Sequence, residues 1–163
     1  MFDVTTFTIV HVVLSLVGIA SGFGVLLGLL ASKRLDFWTA LFLASTVATS
    51  VTGFGFPFDH LLPSHVVGAI SLLVLAVAIL ARYAFHLAGA WRWGYVISTV
   101  VALYLNVFVF VVQAFQKVPA LKAAASTQSE PPFLITQLVV LALFIVLGIV
   151  AARRFRNATV PTA

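Results

Sequence analysis

Five apolar runs, each of 20 residues or more, follow one another along this chain with only short polar breaks between them. A helix rising about 1.5 Å per residue crosses a hydrocarbon core of about 30 Å in about 20 residues. The runs lie at Thr6 to Leu30, Phe37 to Phe56, Pro63 to Phe85, Trp93 to Phe115 and Pro132 to Ala152. They lack the alternation and even turn spacing of a barrel. Backbone groups in lipid must also be satisfied within the segment, so all five are expected to be helices. Composition agrees: 63% of the 163 residues are hydrophobic and 8% are charged. A soluble domain of this size has too little interior to hide that much apolar surface. The expectation is an all-α integral membrane protein, an antiparallel bundle of five transmembrane helices. Residues 1–156 form its single domain and residues 157–163 a mobile tail.

The breaks have local causes. SKRLD (Ser32 to Asp36) is a charged turn. PFDHLLP ends the second run and puts Pro63 where a first helical turn accepts it. LAGAWRW is a glycine-containing hairpin with interfacial tryptophans, and Lys117 to Pro132 has loop composition with room for a short surface helix. In SEPP, Ser129 is expected to start the fifth helix. The beginning, MFDVTTF, has no basic segment, and the run after it is too long for a signal peptide, so the first span is expected to be retained.

Basic residues set the orientation. Lys33, Arg34, Arg82, Arg92, Arg153, Arg154 and Arg156 fall on one side of a five-span bundle, and Lys117 and Lys122 on the other. The richer side is expected to be cytoplasmic, with the N-terminus outside (periplasmic) and the C-terminus inside, in a plasma (inner) membrane. The formal net charge of +5 is thereby explained by topology, and nucleic acid is set aside as a partner. Absence of cysteine excludes disulfides, thiolate metal sites and cysteine nucleophiles.

With this topology three of the four histidines, His11, His60 and His65, fall on the outer side at similar depth, beside Asp59. In the fourth run Tyr95, Thr99, Asn106, Gln113 and Lys117 are 4, 7, 7 and 4 residues apart, which is one helical stripe. His11, Ser15, Gly18 and Gly22 make a stripe in the first run, and Thr46, Thr49, Ser50 and Gly53 in the second. Such faces should point inward, since an ionisable group at mid-membrane costs about 2.5 kcal/mol or more.

Three functions use this arrangement. In the first, one haem b sits between His11 and His65 near the outer face, with Asn106, Gln113 and Lys117 as polar neighbours and electron exchange with a quinone. In architecture and histidine placement this resembles the small four-helix membrane cytochromes b, which commonly carry two haems. A second haem is excluded here by ligand count, because His86 has no second histidine on its side. In the second, His11, His60, His65 and Asp59 hold a divalent, zinc-like metal ion. In the third, the chain is a structural or accessory membrane subunit without a cofactor. Its polar stripes and overlapping GxxxG patterns (Gly18, Gly22, Gly24, Gly28) then bind helices together, within the bundle or between protomers of a homo-oligomer. No nucleophile-base pair, phosphate-binding glycine loop or carboxylate pair lies within the spans.

Overall fold

Each apolar run becomes a helix, and the polar punctuation sets where it stops. The structure is a computed structural model describing residues 4–56 and 63–156, all of whose regular elements are helical. Helix α1 (Val4–Leu30) ends where Ser32 turns left-handed (φ 56°) and the Lys33 N–H donates to the Gly28 carbonyl at 2.8 Å. Helix α2 (Asp36–Gly53) begins with a carboxylate in its first turn, where the helix dipole favours it. Helix α3 (Pro63–Ile79) opens on a proline and runs into a π-helical turn, Leu80–Ala84. The chain reverses through left-handed His86, Leu87 and Gly89, with Phe85 stacked on Trp91 at 4.0 Å, into α4 (Trp91–Lys117). The expected short helix is present as α5 (Pro119–Ala124), before α6 (Pro131–Arg154).

One boundary differs from expectation. Glu130, not Ser129, precedes the first turn of α6, with Pro131 and Pro132 inside it. Its carboxylate folds back to accept the Thr127 N–H at 3.1 Å and the Ser129 N–H at 3.1 Å. That backbone bonding holds the carboxyl well below the usual carboxylate range, at about 2.

Helix α1 packs on α2, α2 on α3, α3 on α4, and α4 back on α1. Four helices thus make a square with α1 and α3 at opposite corners. Helix α6 lies outside it, along α4 and α1. Small residues permit the α1 contacts: a Cβ on Gly22 would stand 2.5 Å from Leu103 Cδ1 and 2.9 Å from the Phe42 ring. Gly18 faces Ser45, Thr46 and Asn106, Gly24 faces Trp38, and Gly28 faces Leu35. The glycine pattern of α1 is therefore consumed inside the bundle.

Four helical segments, α1, Pro63–Ala84, α4 and α6, are long and apolar enough to cross a membrane. Helix α2 is less apolar because its 18 residues include six hydroxyl side chains and Asp36. Several of these, Thr39, Ser45, Thr46 and Ser50, are buried within the protein. One end of the bundle gathers the arginines: Arg82 pairs with Asp36, the Arg92 guanidinium donates to the Phe155 carbonyl, and the Arg156 N–H donates to Ser32 Oγ at 2.9 Å. Residues 157–163, expected as a tail, lie outside the described residues.

Candidate functional site

Antiparallel packing of α1 on α2 brings the start of one helix to the end of the other, and this creates the setting of His11. Its Nδ1 is 2.8 Å from Thr52 Oγ1, and its ring meets that of Phe56 edge-on at 5.1 Å. Gly53 lies beside the imidazole: a Cβ there would be in ordinary contact, 3.7 Å from His11 Cε1. The tautomer follows from Thr52. Its Oγ1 also lies 2.7 Å from the Ala48 carbonyl, which can only accept; with the single hydroxyl hydrogen used there, as in helix back-bonding, Oγ1 accepts from His11. We assign the His11 proton to Nδ1 on this basis, which leaves a lone pair on Nε2.

His65, near the start of α3, is 5% exposed and packs against the Phe54 ring at 5.6 Å. His11 thus meets Thr52 near the end of α2 and Phe56 beyond it, and His65 meets Phe54, just past the end of α2. His60 and Asp59 lie outside the described residues. Among the described residues no three histidine, aspartate or glutamate side chains gather as a metal-binding group.

The α4 stripe divides. Tyr95 and Thr99 are buried, and Asn106, half-buried, donates from Nδ2 to Thr46 Oγ1 at 3.1 Å across the diagonal of the square. Gln113 and Lys117 are exposed. The C-terminal end of α4 instead buries Phe115, on the other face, against Phe133 at 5.4 Å, because the segment leading into α6 docks there. Gln128 holds that segment by donating from Nε2 to the Val112 carbonyl at 3.0 Å.

Sequence reasoning missed two polar groups. Arg82, counted only as an interfacial charge, is buried at 4% exposure. It pairs with Asp36, donates from Nη1 to the Tyr95 hydroxyl at 3.3 Å and lies 5.4 Å from the centre of that ring. Thr39 Oγ1 completes the cluster, 3.3 Å from the Tyr95 hydroxyl. The signal was available in the spacing: Ser71, Leu75, Ala78 and Arg82 step by 4, 3 and 4 residues along one face, and all four are buried. Gln137 of α6 is also buried and donates from Nε2 to the Phe108 carbonyl at 3.2 Å.

Comparison with protein-family models, curated proteins and solved structures gives no match for this chain.

Proposed function

We propose that the chain is a structural or accessory subunit of a membrane assembly, a five-span bundle with its N-terminus outside and its C-terminus in the cytoplasm of an inner membrane. The observation that carries this is the bond from Asn106 to Thr46, which commits the central amide of α4 to α2. The same use of polar groups recurs at other helix junctions: His11 with Thr52 joins α1 to α2, the Asp36, Thr39, Arg82 and Tyr95 cluster joins α2, α3 and α4, and Gln137 joins α6 to α4. Side chains engaged in this way serve as helix-to-helix fasteners, each worth about 1 kcal/mol in a bilayer. Crowding of arginines at one end supports the orientation, since that end retains an excess of basic residues over the end bearing Lys117 and Lys122. Hydroxyls turned toward neighbouring helices let α2 serve as the fifth span at about 27 Å, from 18 residues at about 1.5 Å each.

One observation favours the cofactor reading, in which haem b, with or without a quinone, is bound near the outer face. His11 has its Nδ1 proton directed to Thr52, the arrangement that orients a metal-ligating imidazole through Nε2.

Protein purified in mild detergent from haem-replete cells separates these readings through its reduced-minus-oxidised visible spectrum, elemental analysis and native mass. The structural reading expects no Soret band, no stoichiometric metal, and a native mass in its source membrane above that of the single chain. A Soret band lost in His11→Ala establishes the haem reading instead, and one equivalent of zinc the metal one. A bare monomer in native membranes sinks the structural proposal.

A further inference from the structure

Helices α4 and α6 do not close against each other along their whole length. Toward the arginine-rich end they leave an open groove of about 390 Å³. Its α4 wall runs from Trp93 to Tyr104 and its α6 wall from Leu141 to Arg153, with Gly148 between them. A Cβ on Gly148 would sit 3.4 Å from Val100, so the glycine keeps the floor of the groove low. The walls are apolar along most of this length; the charged lining residue, Arg153, lies at one end with Trp93, and Tyr104 lies at the other.

Length and charge together specify an occupant. Trp93 to Tyr104 and Leu141 to Arg153 are 11 and 12 residues apart, about 17 Å of helix, against about 15 Å for half of a 30 Å hydrocarbon core. The groove therefore matches the depth of one leaflet. At its interfacial end Arg153 forms part of the wall, and the Arg92 guanidinium lies 4.5 Å over the ring of Trp93, which forms another part. Of the described carboxylates, Asp36 is at this end but engaged by Arg82, and Glu130 is at the other end. A tryptophan and unneutralised guanidinium groups above a leaflet-deep apolar slot fit one ligand chemistry, an acyl chain joined to a phosphate.

We propose that this groove holds one acyl chain of an acidic phospholipid from the leaflet at the arginine-rich end, with the headgroup phosphate bound by Arg153. This rests on the bundle spanning a bilayer and is independent of whether His11 binds a cofactor. A planar guanidinium grips two phosphate oxygens at once, which favours arginine here. The remaining apolar surface of α6 meets bulk lipid, whereas this slot is selective because it pairs a chain-sized trough with an arginine at its end.

The test uses the full chain with Trp38→Phe and Trp91→Phe, so that Trp93 is the sole tryptophan and is excited selectively over tyrosine, reconstituted in nanodiscs. Brominated-acyl phosphatidylglycerol or phosphatidylcholine is added at equal mole fraction. Quenching of Trp93 should report about fivefold enrichment of the acidic lipid over its bulk fraction. Arg153→Gln should reduce that preference to the level of the zwitterionic lipid while Arg153→Lys retains part of it, and Gly148→Leu should weaken quenching by both. Equal quenching by the two lipids, or a preference surviving in Arg153→Gln, overturns the proposal while leaving the membrane-spanning bundle intact. Quenching by neither, with a dimer in the nanodisc, overturns it in favour of a second copy covering the groove. Quenching by neither in a monomer refutes the bilayer placement itself.

Discussion

Arg82 and Asp36, 46 residues apart in the chain, form an ion pair in which the arginine is buried and the aspartate is mostly exposed. The pair fastens the end of α3 to the start of α2, and Tyr95 of α4 receives the guanidinium's second bond at 3.3 Å. Three of the four helices of the square meet at this point.

The asymmetry of burial predicts an asymmetry of mutation. Asp36→Ala leaves a buried guanidinium without its counter-charge, whereas Arg82→Met leaves an exposed carboxylate that water can solvate and a Tyr95 hydroxyl that keeps Thr39 as its partner. Loss of one partner of a buried pair costs about 3 kcal/mol or more, and of an exposed one about 1 kcal/mol or less. Asp36→Ala should therefore destabilise the bundle more than Arg82→Met in reversible unfolding from detergent micelles. The reverse order would refute this account of the pair.

Packing predicts opposite outcomes at two glycines. A Cβ at Gly22 would be 2.5 Å from Leu103 Cδ1, while one at Gly94 meets nothing nearer than Trp91 Cε3 at 3.9 Å. Gly22→Ala should lower stability by about 1 to 3 kcal/mol through overpacking. Gly94→Ala should raise it by about 0.5 to 1 kcal/mol, because alanine is the better helix former. Thermal unfolding of the two variants checks both signs.

Glu130 supplies the pH prediction. Its folded carboxyl, held at about 2 by the Thr127 backbone N–H first and then by further bonds in the turn, lies below its ordinary value of 4.5. Because the folded value is depressed, the stabilisation is present above about 4.5 and is lost as pH falls toward about 2. Nuclear magnetic resonance should show the Glu130 carboxyl titrating near 2, and amide protection at Thr127 and Ser129 should disappear over the same interval. A midpoint near 4.5 would remove the basis for this turn. Glu130→Gln should lose that protection at neutral pH.

At the end of the bundle where α1 begins, nitrogen shifts of labelled imidazole should place the His11 proton on Nδ1. In Thr52→Val that preference should disappear, with a loss of about 1 kcal/mol for the missing bond. An Nε2-protonated His11 in the unsubstituted protein would contradict the back-bonding of Thr52 to Ala48.

Apolar run length and local punctuation determined the helices themselves, because lipid admits no other backbone for these segments. Proline, glycine and charged turns located their ends to within a few residues, and helical spacing alone placed Tyr95, Thr99 and Asn106 on one face. That extrapolation failed at Gln113 and Lys117, where docking of the segment before α6 buries the opposite face of α4. Shared membrane side and depth suggested that His11 and His65 could face each other. Only the tertiary arrangement decided that His11 meets Thr52 and His65 meets Phe54, because depth is a one-dimensional property of a span whereas contact depends on which helices are neighbours. The same holds for Arg82: its charge told which end of the bundle it occupies, and the meeting of α2, α3 and α4 told that it is buried there.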